Sequence, residues 1–266
     1  MRPGLHRYPR TKHLEGSAVQ AGDEDMDLVP FSVFQDRPIV VSEKIDGANA
    51  AVSFTESGRL LLQSRSRFLD DDLLAERGGP YLGFREWAQE QADQFWPVLK
   101  NRYVMFGEWV LTKQAVFYDN LPNAFLELDV LDVQSGNLLS TSARRELLRP
   151  LPIVPAPILA DGRFSSLSEL KLLVGPSRCK TPSWRDELLV AIADAKVGDY
   201  ERFVRETDPS DDMEGLVLKL EEDGVVKERA KLVRTGFKSP YLHSSSQWLA
   251  QRKVKNRIAM QALAAE

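Results

Sequence analysis

The sequence predicts an α+β fold in which an antiparallel sheet body carries a helical insertion over about residues 141–207. Three observations predict it. Short β-branched segments bounded by turn residues fill much of the first half, apolar residues then recur at helical spacing behind Ser and Thr caps, and a last hairpin of alternating residues follows. The 266 residues are 43% apolar and 28% charged, enough hydrophobic side chain for a sizeable core, and residues 1–266 read as one domain.

Residues 38–44, Pro-Ile-Val-Val-Ser-Glu-Lys, form a short strand ending at Lys44, because consecutive β-branched side chains suit a pleated surface. Residues 48–54 and 59–63 flank Glu56-Ser57-Gly58 and read as a hairpin. Residues 103–110 and 124–133 are two further strands, the second turning at Gln134-Ser135-Gly136-Asn137 into another. In the insertion, Thr141 or Ser142 caps a first helix and Ser165 or Ser166 a second, with the proline-rich residues 149–157 between them, and residues 184–195 form an amphipathic third. A strand over residues 214–220 turns at Glu222-Asp223-Gly224 and returns over 225–233, and residues 246–265 read as a basic helix. The basic N-terminal segment Arg7 to His13 is either a strand packed on the sheet or a contact for a polyanion.

No apolar run is long enough to span a bilayer and the N-terminus lacks the apolar stretch of a signal peptide, so a cytoplasmic protein with no membrane partner is expected. Cys179 is the only cysteine, which excludes an intramolecular disulfide or a cysteine zinc cluster. Residues 229–265 hold eight Lys or Arg and no acid; since the whole chain is −4, the remainder carries −12. A polyanion would be repelled by most of this surface and drawn to the C-terminal end, unless that end is simply a solvated basic helix.

The segment Glu43-Lys44-Ile45-Asp46-Gly47-Ala48-Asn49 gathers a lysine, acids, a glycine and an amide at the mouth of the hairpin. A lysine attacks phosphorus only as the free amine, so its ordinary pKa of about 10.4 must be pulled down by burial or nearby cations. Gly47 permits a tight turn and Asp46 offers oxygen to a hydrated divalent cation. Alone, Lys-x-Asp-Gly is a common turn. Four further segments corroborate it in order: Ser64-Arg65-Ser66-Arg67, Phe106-Gly107-Glu108-Trp109, Glu214-Gly215-Leu216-Val217-Leu218-Lys219, and Lys231-Leu232-Val233-Arg234.

Together these segments resemble the covalent nucleotidyltransferases, the superfamily of ATP-dependent DNA ligases, RNA ligases and capping guanylyltransferases, and within it the RNA ligases related to the second RNA ligase of the T-even phages. The resemblance spans about residues 44–234 and implies an antiparallel, ATP-grasp-like ligase adenylation domain. It implies that Lys44 attacks the α-phosphorus of ATP and keeps AMP as a phosphoramidate. Glu43 would read the adenine edge, Asn49 would touch the phosphate region, and Arg65, or Arg67 in its place, would bind ribose and later a polynucleotide phosphate. Glu108 and Glu214 would hold sugar hydroxyls or water ligands of Mg²⁺ or Mn²⁺, with Asp46 completing that metal shell. Lys219 and Lys231 would face the α-phosphate and lower the pKa of Lys44. Two positions depart from the family pattern. Val233 stands where a second lysine is usual, so that Arg234 supplies the charge only if the strand bends, and Leu128 stands where an aromatic usually stacks on adenine, leaving Phe125 or Leu128 to cover the base.

Only 32 residues follow Arg234, too few for an OB barrel, which favours an ATP-dependent RNA ligase over its relatives. Its partners would be RNA 5′-phosphate and 3′-hydroxyl ends, in RNA repair beside an end-healing kinase or phosphatase, with the basic terminal helix tracking the backbone. The alternatives are a DNA ligase or guanylyltransferase core relying on a partner chain, and a catalytically retired nucleic-acid-binding module.

Overall fold

Ile39, Val40 and Val41 are all buried, so the strand they form needs cover on both faces. The computed structural model, which describes residues 4–19, 27–69, 79–196, 200–237 and 254–259, places it inside a sheet with a strand on each side. One six-stranded sheet runs β10 (Ile158–Gly162), β3 (Ile39–Glu43), β11 (Gly215–Glu222), β12 (Val225–Val233), β1 (Lys12–Leu14) and β2 (Leu28–Val29). A second runs β5 (Leu60–Ser64), β4 (Ala48–Phe54), β6 (Tyr103–Trp109), β7 (Phe125–Asp132) and β8 (Asn137–Leu138), with β9 (Val154–Pro155) parallel to β7. Apart from that pair and the parallel contacts of β1 with β12 and β2, the ladders are antiparallel, as the hairpins and turn residues predict.

The chain crosses from the first sheet to the second between β3 and β4, over residues 44–47. Gly47 makes the crossing possible. A Cβ there would sit 2.7 Å from Val110 Cγ1 and 2.8 Å from both Glu108 Cγ and the Trp109 carbonyl oxygen, so only glycine fits. The 16-residue α1 (Phe84–Leu99) packs Phe84, Ala88, Phe95 and Leu99 onto the second sheet beside Trp109 and Phe125. Sequence reading missed this helix because its start offers no capping side chain, Gly83 holding the N-cap, and because Pro97 lies in its last turn.

The insertion departs from the expected helical stretch. It holds α2 (Thr141–Leu148), α3 (Leu167–Lys171), α4 (Trp184–Asp194) and α5 (Tyr200–Arg205), but the proline-rich stretch supplies strand β9 and leads into β10, which closes the edge of the first sheet against β3. Residues without a backbone donor are tolerated at such edges. The cap of α2 is Ser140, one residue before the expected pair; its hydroxyl accepts from Ala143 N at 3.3 Å. Thr141 is instead held by Glu221, which accepts from its amide at 2.9 Å and its hydroxyl at 2.7 Å. Ser166 caps α3 as expected. In the N-terminal segment Lys12 and His13 join a strand, opposite Ala230 and Lys231, while Tyr8, Arg10 and Thr11 line a cleft.

Of the expected basic helix over 246–265, residues 246–253 and 260–265 lie outside the described residues. The described portion, 254–259, is extended and not helical: Lys255 bridges Thr112 and Ile258 bridges Leu121. Asn256 is the reason. Its side chain donates to the Val110 carbonyl at 2.8 Å and accepts from Tyr118 N at 2.9 Å, which ties this strap to the loop of residues 110–121. Among the described residues no helix is long and apolar enough to cross a membrane.

Candidate active site

Lys44 stands at the crossing between the sheets, its amide donating to the Gly215 carbonyl at 2.8 Å. Its amine donates to Glu214 Oε2 at 2.8 Å, the lysine side chain 22% exposed and the glutamate 5%. Two residues on, Asp46 is fixed from the other side. Its Oδ2 accepts from the amides of Ala115 and Val116 at 2.6 and 2.8 Å, and its own amide donates to the Tyr118 hydroxyl at 2.9 Å. Glu108 lies opposite Asn49 in the β4–β6 register and so points to the same face.

Lys44, Asn49, Arg65, Glu108, Lys219 and Lys231 line one cleft of about 810 Å³, part of it open to solvent, and Glu43 lines it too. Of the expected metal shell Glu108 lines the cleft, Glu214 meets it through its pair with Lys44, and Asp46 turns one oxygen to the Ala115 and Val116 amides. Asn49 Oδ1 is buried and has no hydrogen-bond partner, while its Nδ2 donates to the Gly107 carbonyl at 3.4 Å. A buried amide oxygen left open beside a cleft is a place for a ligand. Between the two candidate arginines, Arg65 faces the cleft. Leu128, and not Phe125, faces the cleft as well. Leu128 is the extra residue of a bulge in β7, where Glu127 opposes Gly107 and Asp129 opposes Phe106. Phe125 instead stacks on Trp87 in the core at 4.8 Å.

The electrostatics correct one expectation. Burial alone would pull the Lys44 amine down, but the carboxylates of Glu214, Glu108 and Asp46 outweigh it and hold it above its ordinary value. Lys219 lines the cleft as expected, but its charge is already engaged. It is buried against Asp129, donating to Oδ1 at 2.7 Å and to the Leu128 carbonyl. Lys231 bears on Glu214. Arg234 is also engaged, with Asp208 and with the Met213 carbonyl at 2.9 Å. Burial raises the carboxyls of Glu108 and Glu214 to about 7 against the pull of Lys44, and neighbouring acids add to the rise.

Three carboxylates near one lysine, Glu214 buried and Asp46 and Glu108 half-buried, make an oxygen-only donor set with surplus negative charge, which fits a hard divalent cation. Among the described residues no three His, Cys, Asp or Glu side chains converge as a metal cage. The fit is therefore to a hydrated cation held through its waters.

The family model described as RNA ligase matches residues 37–233. The chain belongs to the RNA ligase family. Similar solved structures include RNA ligases of Naegleria gruberi: a point mutant with ATP and Mn (15% identity, TM-score 0.54, covering 92% of this chain and 60% of that one), another with AMP and Mn (16%, 0.54, 91% and 59%), and the enzyme with PPi (17%, 0.53, 88% and 57%). At those identities the likeness is one of fold, and the chain spans between half and three-fifths of the length of these neighbours. A comparison with curated proteins finds no match.

Within this member of the family, sequence reading missed the groups that anchor the motif residues. Asp129 is fully buried and binds Lys219, Arg229 Nη1 at 2.9 Å and the Tyr8 hydroxyl at 2.5 Å. Burial would raise its carboxyl, but Lys219 and Arg229 outweigh that and hold it at about 2. Glu127 pairs with Arg144 of α2 in the same cleft wall. The signal was available: two acids inside the otherwise apolar strand Phe125-Leu126-Glu127-Leu128-Asp129-Val130 must be paired if that strand is buried. Their partners, at Arg144, Lys219 and Arg229, come from distant segments that no local pattern connects.

Proposed function

We propose that this chain is an ATP-dependent RNA ligase that works through a lysyl-AMP intermediate at Lys44. The observation that carries the reading is the Lys44 amine at the crossing of the two sheets, paired with Glu214 and facing a cleft lined by Asn49, Arg65, Glu108 and Lys231. Family membership and a fold shared with ligases that hold ATP, AMP or PPi support it.

In the first step the free amine of Lys44 attacks the α-phosphorus, an N–P bond forms, the bond to the β-phosphate oxygen breaks, and pyrophosphate leaves. The lysine proton is released on the way. The AMP then passes to an RNA 5′-phosphate, giving a phosphoanhydride and restoring the amine. A 3′-hydroxyl attacks that activated phosphate, a phosphodiester forms, and AMP leaves. Each step is a displacement at phosphorus, so positioning and charge neutralisation carry most of the catalysis.

Glu214 receives the ammonium form of Lys44 and positions its nitrogen. Lys231 and Arg65 offer positive charge to phosphate oxygens, Glu43 faces the base, and Leu128 supplies an apolar wall for it. Asp46, Glu108 and Glu214 would hold hydrated Mg²⁺ or Mn²⁺, which when bound neutralises phosphate charge and favours the free amine. RNA repair is the setting that suits this chemistry, after an end-healing kinase or phosphatase has left a 5′-phosphate and a 3′-hydroxyl. The test is joining of such ends in RNA, with ATP and a divalent cation, by the purified chain. Sealed product from RNA ends that requires ATP is expected; ATP-dependent sealing of DNA alone, or GTP as the only usable nucleotide, would overturn the reading.

A further inference from the structure

We propose that Ser177 and the Arg178 amide fix Glu43 as a hydrogen-bond acceptor, and so make this cleft select a purine carrying an amino group at position 6. The inference rests on the reading that Glu43 faces the base of a bound nucleotide. Neither Ser177 nor Arg178 belongs to the motif segments; both come from the loop between α3 and α4.

Glu43 is 1% exposed, at the end of β3, an interior strand of the first sheet, and it lines the cleft. Its Oε1 accepts from the Ser177 hydroxyl at 2.5 Å, and its Oε2 accepts from the Arg178 amide at 2.9 Å. The Arg178 backbone amide can only donate, and the Ser177 hydroxyl, which accepts from the Cys179 amide at 3.1 Å, has its single proton free for Glu43. Burial raises the Glu43 carboxyl, while these two bonds and the charges of Lys180 and Arg178 favour the carboxylate.

The loop that delivers the donors is itself tied down. Ser177 N donates to the Asp211 carbonyl at 3.0 Å, and the Cys179 carbonyl accepts from Asn120 N at 3.1 Å. Thr181 N donates to Asp119 at 2.8 Å. Each carboxylate oxygen has a second lone pair, so Glu43 keeps acceptor capacity on a fixed plane. An N6 amino group satisfies it. A 6-oxo group sets lone pair against lone pair and leaves a buried acceptor unpaired, the kind of mismatch that binding sites reject strongly. Ser177 is thus a positioning residue for base selection and touches no reacting atom.

The experiment measures protein–nucleotide adduct formation with ATP, with its 6-oxo analogue ITP, and with purine riboside triphosphate, which has hydrogen at position 6. It uses the wild type, Ser177→Ala and Ser177→Thr. The wild type should favour ATP over both analogues. Ser177→Ala should lower the ATP-to-ITP preference about tenfold, the order expected for losing one hydrogen bond to a charged group, and Ser177→Thr, which keeps the hydroxyl, should restore it. A purely structural role would lower all three rates together and leave the ratios alone. Unchanged ratios in Ser177→Ala would overturn the inference while leaving the ligase reading intact. Should Ser177→Ala fail to fold, a wild type that uses ATP and ITP equally would overturn the inference by itself. A wild type that forms no adduct with any nucleotide would overturn the reading beneath it.

Discussion

In the proposed reaction Lys44 must lose a proton before it attacks, and its neighbours hold that proton on. Because the carboxylates of Glu214, Glu108 and Asp46 outweigh burial and raise the amine pKa, the reactive fraction should grow about tenfold per pH unit while pH stays below that value. Initial rates of adduct formation from ATP should therefore climb through pH 7 to 9 with a logarithmic slope of about one; a flat profile would mean that a cation or substrate has already displaced the proton. Asp129 makes a second prediction. It is the common acceptor for buried Lys219 and Arg229, so Asp129→Ala leaves two buried cations without a counter-charge. Removing one partner of a buried pair costs about 3–5 kcal/mol, which denaturant titration would detect, and a loss below 1 kcal/mol would contradict the role given to it. The sequence displayed Lys44, Glu108 and Glu214 through their motif spacing, but not that acids would dominate around Lys44. The pairing of Lys219 with Asp129 joins residues 90 positions apart, and only the folded sheets bring them together.

Among the elements, strands were legible and their edges were not. The apolar run at 39–41 and the hairpin turn at 56–58 fixed β3, β4 and β5 because strand alternation and turn chemistry are local. Residues 254–259 instead follow the loop of residues 110–121, whose carbonyls and amides attract Asn256 more effectively than a helical turn would. That strap reaches the site. The loop it holds presents the Ala115 and Val116 amides to Asp46, two residues from Lys44. Asn256→Ala leaves the Val110 carbonyl and the Tyr118 amide without their partner, a loss of about 1–3 kcal/mol by the cost of unsatisfied buried groups. Adduct formation should slow as well, since Asp46 loses its fixed position. A variant destabilised to that extent but adenylated at the wild-type rate, measured well below its melting temperature, would show that strap and site are independent.

For the whole molecule, the proposed metal shell would tie cation binding to pH. Glu108 and Glu214 have carboxyls raised to about 7, above the value near 4.3 expected in an unfolded chain. Between those values the folded protein binds more protons than the unfolded one, so these two groups weaken stability as pH rises from about 4.3 through 7. A divalent cation that binds their ionised forms offsets this, and only above about 7 does it do so without displacing protons. Saturating Mn²⁺ should thus raise the melting temperature more at pH 8 than at pH 6, and an equal shift at both would separate the cation from these carboxylates. Of the eight basic residues at 229–265, Arg229, Arg234 and Arg257 are paired with Asp129, Asp208 and Asp194, and Lys238, Arg252 and Lys253 lie outside the described residues. The most direct test is to incubate the chain and its Lys44→Ala variant with ATP and Mg²⁺ or Mn²⁺, then map any adduct by peptide mass spectrometry. The account predicts AMP on the peptide containing Lys44 and none on the variant; AMP on another residue, or no AMP with either metal, would contradict it.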